Sequence, residues 1–230
     1  MDFSQTYQQI ENSVVMVQTG ILDGNSFNPM GVGTGVIVLD GKQVLTCAHC
    51  VNTQMGHCIG VQIPGTQTLQ LARIKYIDIQ LDIALLEVNV FLGPPATIIS
   101  SNNMMVGMEC FVVGYPNSIM QKTLLSGHVA TISSQHLVLD CSVNHGNSGG
   151  PLFDINGNVV GIVNAKHGGI DAILENLLNG NLGASGVYIN GVDPNAVFRE
   201  ILIGMKKNLN LGIGYAIKTD EIKNLIQNIY

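Results

Sequence analysis

The sequence predicts an all-β protein: two packed six-stranded β-barrels with short N- and C-terminal helices and a helical insertion near 168–210. Three observations carry this. The 230 residues include 27 glycines and few long helical periods, which favours short strands joined by many turns. The strand-like stretches fall into two runs of about a hundred residues each, a layout that two similar barrels would fit. Hydrophobic residues make up 46% and charged residues only 11%, the balance of an ordered core and not of a disordered chain.

Taken in order, Phe3, Tyr7 and Ile10 fall near one face of a short helix over 3–11. It leads into a β-type run over 13–19. Residues 23–31 read as a polar loop bearing Gly and Pro. A strand follows over 33–39, Asp40-Gly41 signals a tight turn, and 43–46 return as the hairpin partner. After Cys47-Ala48-His49-Cys50-Val51 come strands at 57–63, 67–76 and 82–88. Gly93-Pro94-Pro95 and the polar residues 100–103 look like a linker. The division is therefore set at residues 1–105 and 106–230. The second unit opens with strands at 109–115, 122–133 and 136–140. After the turn at 144–151, residues 159–165 form a buried strand. Residues 168–210 break the pattern. Helical spacing appears over 171–178, and Asp193-Pro194 opens a helix over 194–207. The last strand covers 211–217. Thr219-Asp220 caps a final helix over 219–229, with Ile222, Leu225 and Ile229 on one stripe.

The formal net charge is −6, with no basic stripe, so nucleic acid is not an expected partner. No apolar segment is long enough to span a bilayer, and the N-terminus has no signal-peptide pattern. The five cysteines, Cys47, Cys50, Cys58, Cys110 and Cys141, are odd in number. Together with the missing leader this argues for reduced thiols and a cytoplasmic protein, with export by another route or an intermolecular bridge as the alternatives.

Asn144-His145-Gly146-Asn147-Ser148-Gly149-Gly150-Pro151 is the stretch richest in chemistry. Three glycines and a proline make a sharp turn, and a serine in it presents its hydroxyl outward. Glycines there also aim N–H groups at one point, as a nucleophile beside an oxyanion hole requires. The plain alternative for the stretch alone is a hairpin turn that happens to carry a serine. A serine nucleophile needs a base, usually a histidine, oriented by a carboxylate. His49 follows a hairpin strand among small residues. Asp82 enters an apolar run, where a carboxylate is costly to bury without a donor such as a histidine N–H. The plain alternative is that Asp82 ends a loop.

Cys47-Ala48-His49-Cys50, Asp82-Ile83-Ala84-Leu85-Leu86 and Gly146-Asn147-Ser148-Gly149-Gly150-Pro151 occur in the order His, Asp, Ser. With Gly33-Thr34-Gly35-Val36-Ile37, Gly161-Ile162-Val163-Asn164 and Gly212-Ile213-Gly214-Tyr215-Ala216-Ile217, they make the chain resemble trypsin-like serine proteases of chymotrypsin-like fold, and among them the HtrA/Deg protease domain. The resemblance spans most of the chain except 167–210. It implies Ser148 as nucleophile, His49 as general base and acid, and Asp82 as orienting carboxylate. It also implies an oxyanion hole from Gly146 and Ser148 N–H, and a substrate-pairing edge at Asn164, Ala165 and Lys166. Ser142, His145 and Tyr215 are the candidate pocket residues. None is acidic, so a small or apolar residue is the expected preference. The expected activity is that of a serine endopeptidase on proteins or peptides, without cofactor, half-active near pH ~7. A protease-fold binding module with a dormant site is the alternative.

The chain departs from the trypsin pattern at Asn147, where those enzymes carry an aspartate that pairs with a newly cut N-terminus; HtrA-like relatives also carry asparagine there. Cys50 matches a cysteine that is bridged in secreted relatives, yet no cysteine lies near 33–35 to pair with it. No PDZ domain follows before Tyr230. The insertion at 168–210 is expected to regulate the pocket, bind a partner or mediate homo-oligomers, or to be inert decoration. Cys47, His49, Cys50, His57 and Cys58 resemble a zinc cluster, but neighbours at a strand end point apart, so no metal is expected. Cys47-x-x-Cys50 as a redox pair lacks the helix-start setting. His128, His136 and His167 are expected to be ordinary surface or turn residues.

Overall fold

Residues alternating between two buried environments explain why so many strands here read as unbroken apolar runs. In the computed structural model, which describes residues 2–24, 26–51, 56–116, 119, 121–164, 177–180, 188–189, 191–208 and 212–227, twelve strands close into two antiparallel barrels. The first consists of β1 (Val14–Asp23), β2 (Ser26–Val38), β3 (Gln43–Thr46), β4 (Cys58–Gln62), β5 (Leu69–Asp78) and β6 (Ile83–Glu87). Their order around the barrel is β1-β2-β3-β6-β5-β4. The second consists of β7 (Glu109–Gly114), β8 (Thr123–Ile132), β9 (His136–Leu139), β10 (Pro151–Phe153), β11 (Val159–Val163) and β12 (Gly214–Lys218), ordered β10-β11-β12-β9-β8-β7.

Successive side chains of a strand point to opposite faces. Val15, Val17, Ile37, Val44, Ala84 and Leu86 fill the first barrel. Their neighbours Val14, Val36, Val38, Leu45, Ile83 and Leu85 turn the other way. They join Phe111, Val113, Phe153, Ile162 and Ile217 of the second barrel in one seam. Val112, Val129, Leu137, Leu139, Leu152 and Val160 fill the second barrel. Phe111 stacks on Phe153 with ring centroids 5.2 Å apart. Strands with two buried faces need no polar alternation, as in sheets covered on both sides.

The expected helix over 3–11 is α1 (Ser4–Ile10), followed by a 3-10 turn at Glu11–Ser13. The expected loop at 23–31 is mostly strand: β2 already runs from Ser26, in a long hairpin with β1. Its polarity reflects exposure, and Pro29 is tolerated because it pairs with Gly20 where the register shifts. β10 has no counterpart among the expected strands; it is three residues long and follows the serine turn directly.

The chain divides into two compact units, Met1–Ala165 with Gly212–Tyr230, and Lys166–Leu211. Within the second, α2 (Pro194–Asn208) starts as its sequence predicts, with Asp193 Oδ1 accepting from Asn195 N at 2.9 Å. Of the helix expected over 171–178, residues 177–179 are helical, and 171–176 lie outside the described residues. In the first unit, α3 (Thr219–Gln227) closes the chain. Asp220 accepts from Ser100 and Ser101 hydroxyls at 2.7 and 2.6 Å, tying α3 to the segment between the barrels.

Candidate active site

β3 and β6 are paired neighbours, so the residues just beyond their ends meet. After β3 the chain turns through a 3-10 helix, Ala48–Cys50, which carries His49. Before β6 stands Asp82, with φ of 58°, a left-handed conformation that aspartate tolerates better than most residues. This backbone lets Asp82 hold the Ala48–His49 turn in three ways, two of them at His49 itself. Its carbonyl accepts from Ala48 N at 3.1 Å, Oδ1 accepts from His49 N at 2.9 Å, and Oδ2 lies 2.6 Å from His49 Nδ1. An ionised carboxylate only accepts, so the imidazole hydrogen sits on Nδ1. Neutral His49 then presents Nε2 as an acceptor. Asn164, beyond β11, donates Nδ2–H to the same Oδ2 at 2.9 Å. His49 and Asp82 side chains keep 18% and 19% of their exposure, so the couple is sheltered but reachable.

The serine turn belongs to the second barrel yet is fastened to the first. Thr34 of β2 is the fastener. Its N–H donates to Ser148 O at 2.9 Å, and its hydroxyl donates to Gly146 O at 2.6 Å and accepts from Tyr115 N at 2.9 Å. Thr46 Oγ1 in turn donates to Thr34 O at 2.7 Å. Cys50 Sγ donates to the same Ser148 carbonyl at 3.4 Å. The Cβ that Gly33 lacks would lie 2.8 Å from Cys50 Sγ and 3.3 Å from Ser148 O, so a side chain there would be crowded. Within the turn, Asn147 N donates to Asn144 O and Gly150 N to Asn147 O, while Gly149 N donates to Val163 O. Gly146 and Gly149 have φ of 96° and 83°, which explains the glycines. Among the described residues the Gly146 N–H has no partner, the condition required of an oxyanion donor. Asn147 is buried, and neither its Nδ2 nor its Oδ1 has a partner among the described residues.

Of the sequence-predicted residues, His49, Asp82 and Asn164 are joined by direct bonds, and the Ser148 and Gly146 carbonyls are tied to the wall beside them. Asn164 does more than edge a cleft: its side chain holds Asp82, and its N–H donates to Tyr215 O at 2.8 Å. Ala165, Lys166 and His167 lie outside the described residues. Ser142 and Tyr215 belong to adjoining segments, since a Cβ at Gly214 would lie 2.6 Å from Val143 Cγ2 and one at Gly212 4.0 Å from Ser142 Oγ. His145 is half-buried within the turn. Sequence reasoning misses Thr34 as a site residue. Its one signal is a lone hydroxyl between two glycines, just before the apolar run Val36-Ile37-Val38.

All five cysteines are unbridged. The zinc-like spacing does not bring its five residues to one point, because Cys58 Sγ turns to donate to Gly20 O at 3.4 Å. Cys47, His49 and Asp82 do bring donor atoms within 4.8 Å of one another. Cys47 is fully buried, however, and its thiol donates to Val163 O at 3.2 Å. Burial, with the neighbouring Cys50, holds that thiol well above its ordinary pKa. Burial alone would lower the His49 pKa. The hydrogen bonds and charges of Asp82 and Cys50 outweigh it and raise His49 from 6.5 to about 9.

Two closed barrels that share one apolar seam are the chymotrypsin-like fold. The "HtrA-type protease AlgW with tripeptide" superposes with a TM-score of 0.68 at 20% identity, covering 100% of this chain and 64% of that one. The serine endoprotease from Yersinia pestis superposes equally well, at 0.68 and 20%, covering 99% and 66%. The chain belongs to the trypsin-like peptidase domain family, whose model matches residues 33–162. Its relatives include Serine protease HTRA4 of Homo sapiens, 29% identical over 170 residues. That match covers 67% of this chain and 35% of the relative. Serine protease HTRA1B of Danio rerio is 29% identical over 175 residues, covering 69% and 36%. The chain thus spans about a third of the length of the curated relatives it matches. Among the described residues no helix is long and apolar enough to cross a membrane.

Proposed function

We propose that the chain is a serine endopeptidase that cleaves proteins or peptides through an acyl-enzyme. Ser148 Oγ attacks the scissile carbonyl carbon and gives its proton to His49 Nε2. The oxyanion is met by the N–H groups of Gly146 and Ser148, one such donor being worth about 3 kcal/mol. His49 then protonates the leaving amine, and water enters by the same steps in reverse role. Asp82 holds the Nδ1–H tautomer and stabilises the imidazolium. The observation that carries the reading is the His49–Asp82 couple at 2.6 Å, with the Ser148 carbonyl bonded to Cys50, the next residue after His49. Substrate preference for small or apolar residues, and regulation through 168–210 or a partner, belong to the same proposal.

A fluorophosphonate probe tests it. The expected result is covalent labelling of the chain that disappears in Ser148→Ala. Absence of labelling across pH 6–10 would favour the dormant binding module instead.

The raised His49 pKa revises the pH expectation. The working base is the neutral imidazole, which is the form present above its pKa. Activity therefore rises with pH through a midpoint alkaline of 7, toward the value of about 9, and not at the ordinary histidine value. Cys50→Ala removes one of the groups that hold the proton. It should move the limb back toward neutrality, and the rate at pH 7 should rise roughly tenfold for every whole pH step that the midpoint falls. A pH profile of kcat/KM for both forms checks this; an unmoved limb would count against the Cys50 contribution.

A further inference from the structure

Two sulfurs flank the His49 backbone, and the proposed reaction uses neither. Cys47 and Cys50 are the ends of one turn, closed by Cys50 N donating to Cys47 O at 3.1 Å. Such a turn brings its first and last Cα atoms within about 7 Å, the outer limit for a disulfide. The side chains also converge on one peptide unit: Cys50 Sγ donates to Ser148 O at 3.4 Å, and Cys47 Sγ donates at 3.2 Å to Val163 O, the carbonyl that also accepts from Gly149 N. Their surroundings differ. Cys47 has no exposure, and its thiol also reaches Val163 O. Cys50 is half-buried, and it stands against His49 and the Ser148 carbonyl. A partner thiol on one side and an imidazole on the other are the setting of a reactive thiolate.

We propose that Cys47 and Cys50 are a dithiol modification site at which a hydroperoxide forms a disulfide, with Cys50 as the sulfur attacked first by oxidant. The Cys50 thiolate attacks the outer peroxide oxygen. An S–O bond forms, the O–O bond breaks, and the leaving oxygen takes up the proton that the Cys50 thiol gave up, departing as an alcohol, or as water from hydrogen peroxide. Cys47 sulfur then attacks Cys50 sulfur. The S–S bond forms, and the S–O bond breaks with loss of hydroxide, which takes up the Cys47 proton as water. Two thiols are oxidised by two electrons, and one hydroperoxide is reduced. The setting supports this order. The neighbouring Cys47 thiol first, and then His49, favour the Cys50 thiolate against the effect of burial. Burial raises the thiols of Cys110 and Cys141 to about 12 and about 11, so they are internal bystanders. The pair lacks a helix start, and none is needed: the partner thiol and the imidazole supply the stabilisation.

Closing the bridge draws Cys50 Sγ away from His49 and Ser148 O, and removes the Cys47 bond to Val163 O. The resulting loss of turnover rests on the peptidase reading above; the sulfur chemistry does not. The experiment therefore reads sulfur. The full chain, reduced and then treated with one equivalent of hydrogen peroxide, is alkylated, digested and mapped by mass. The expected product is a Cys47–Cys50 bridge, with Cys58, Cys110 and Cys141 still alkylated. In Cys47→Ser the intermediate has no resolving partner, and a 1,3-diketone probe should label Cys50. In Cys50→Ser it should label neither position. Independently of any variant, Cys50 in the reduced chain should react with iodoacetamide at pH 7 about tenfold faster than the similarly exposed Cys58. Oxidation appearing first at Cys58, or Cys50 reacting no faster than Cys58, would overturn the assignment. A bridge that forms while fluorophosphonate labelling is absent from the outset would keep the dithiol site and reject the peptidase.

Discussion

Asp82→Asn is expected to lower kcat for peptide hydrolysis by about 10⁴-fold while leaving the fold in place. The backbone argues for the second half. Asparagine tolerates the left-handed φ of 58° as well as aspartate does, and its carbonyl oxygen can still accept from His49 N. The chemistry argues for the first. Oδ2 now receives His49 Nδ1 and Asn164 Nδ2, both as donors. An amide nitrogen in that place is itself a donor. Donor would face donor twice, and the histidine escapes by moving its hydrogen to Nε2. That tautomer cannot take a proton from Ser148. A loss below tenfold would mean that Asp82 does not set the tautomer. Urea unfolding, measured alongside, should show a change far smaller than the loss in rate.

Gly149→Ala is expected to cost roughly 3 kcal/mol of stability, from a strained backbone and an overpacked contact, and to remove activity with it. With φ of 83°, the new Cβ would lie 2.1 Å from Thr46 Oγ1, 2.2 Å from Thr34 O and 2.9 Å from Cys47 N. Two of these atoms are backbone and cannot swing aside. The third makes the bond from Thr46 to Thr34, on which the serine turn hangs. Gly65→Ala is the control. Its φ is 71°, but nothing lies within 4 Å of the added carbon, so it should cost only about 1 kcal/mol. Equal unfolding midpoints for the two variants would remove the packing argument.

The order of His49, Asp82 and Ser148, the two barrels and the terminal helices are all legible in the sequence, because each leaves a local mark. Turn glycines, a capping Asp193-Pro194 and apolar runs are visible over a few residues. What stays hidden depends on contacts between distant segments. Thr34 is joined to Gly146 across 112 positions, and nothing near Thr34 announces its partner. Asn164 sits at the end of a buried strand, where its neighbours suggest only an edge role; its side-chain bond to Asp82 spans 82 positions. The polar stretch before Gly33 reads as a loop since composition reports exposure, not hydrogen bonding, and an exposed strand end looks the same. The upward direction in which folding moves the His49 midpoint from the expected value near 7 is hidden for a similar reason. The ordinary value ignores a carboxylate and a thiol brought together only by folding.

The division of the proposed triad between barrels bears on how such a chain is born. The barrel holding His49 and Asp82 has all its strands once Glu87 has been made. The barrel holding Ser148 lacks β12 until Gly214–Lys218, and β12 is the stave between β9 and β11. Domains fold as units while synthesis proceeds from the N-terminus. A growing chain on the ribosome therefore displays His49 and Asp82 long before the serine turn has a closed wall behind it. If the proposed reading holds, the peptidase site is completed only when Gly214–Lys218 has been made, so the order of synthesis sets the moment at which cleavage can begin.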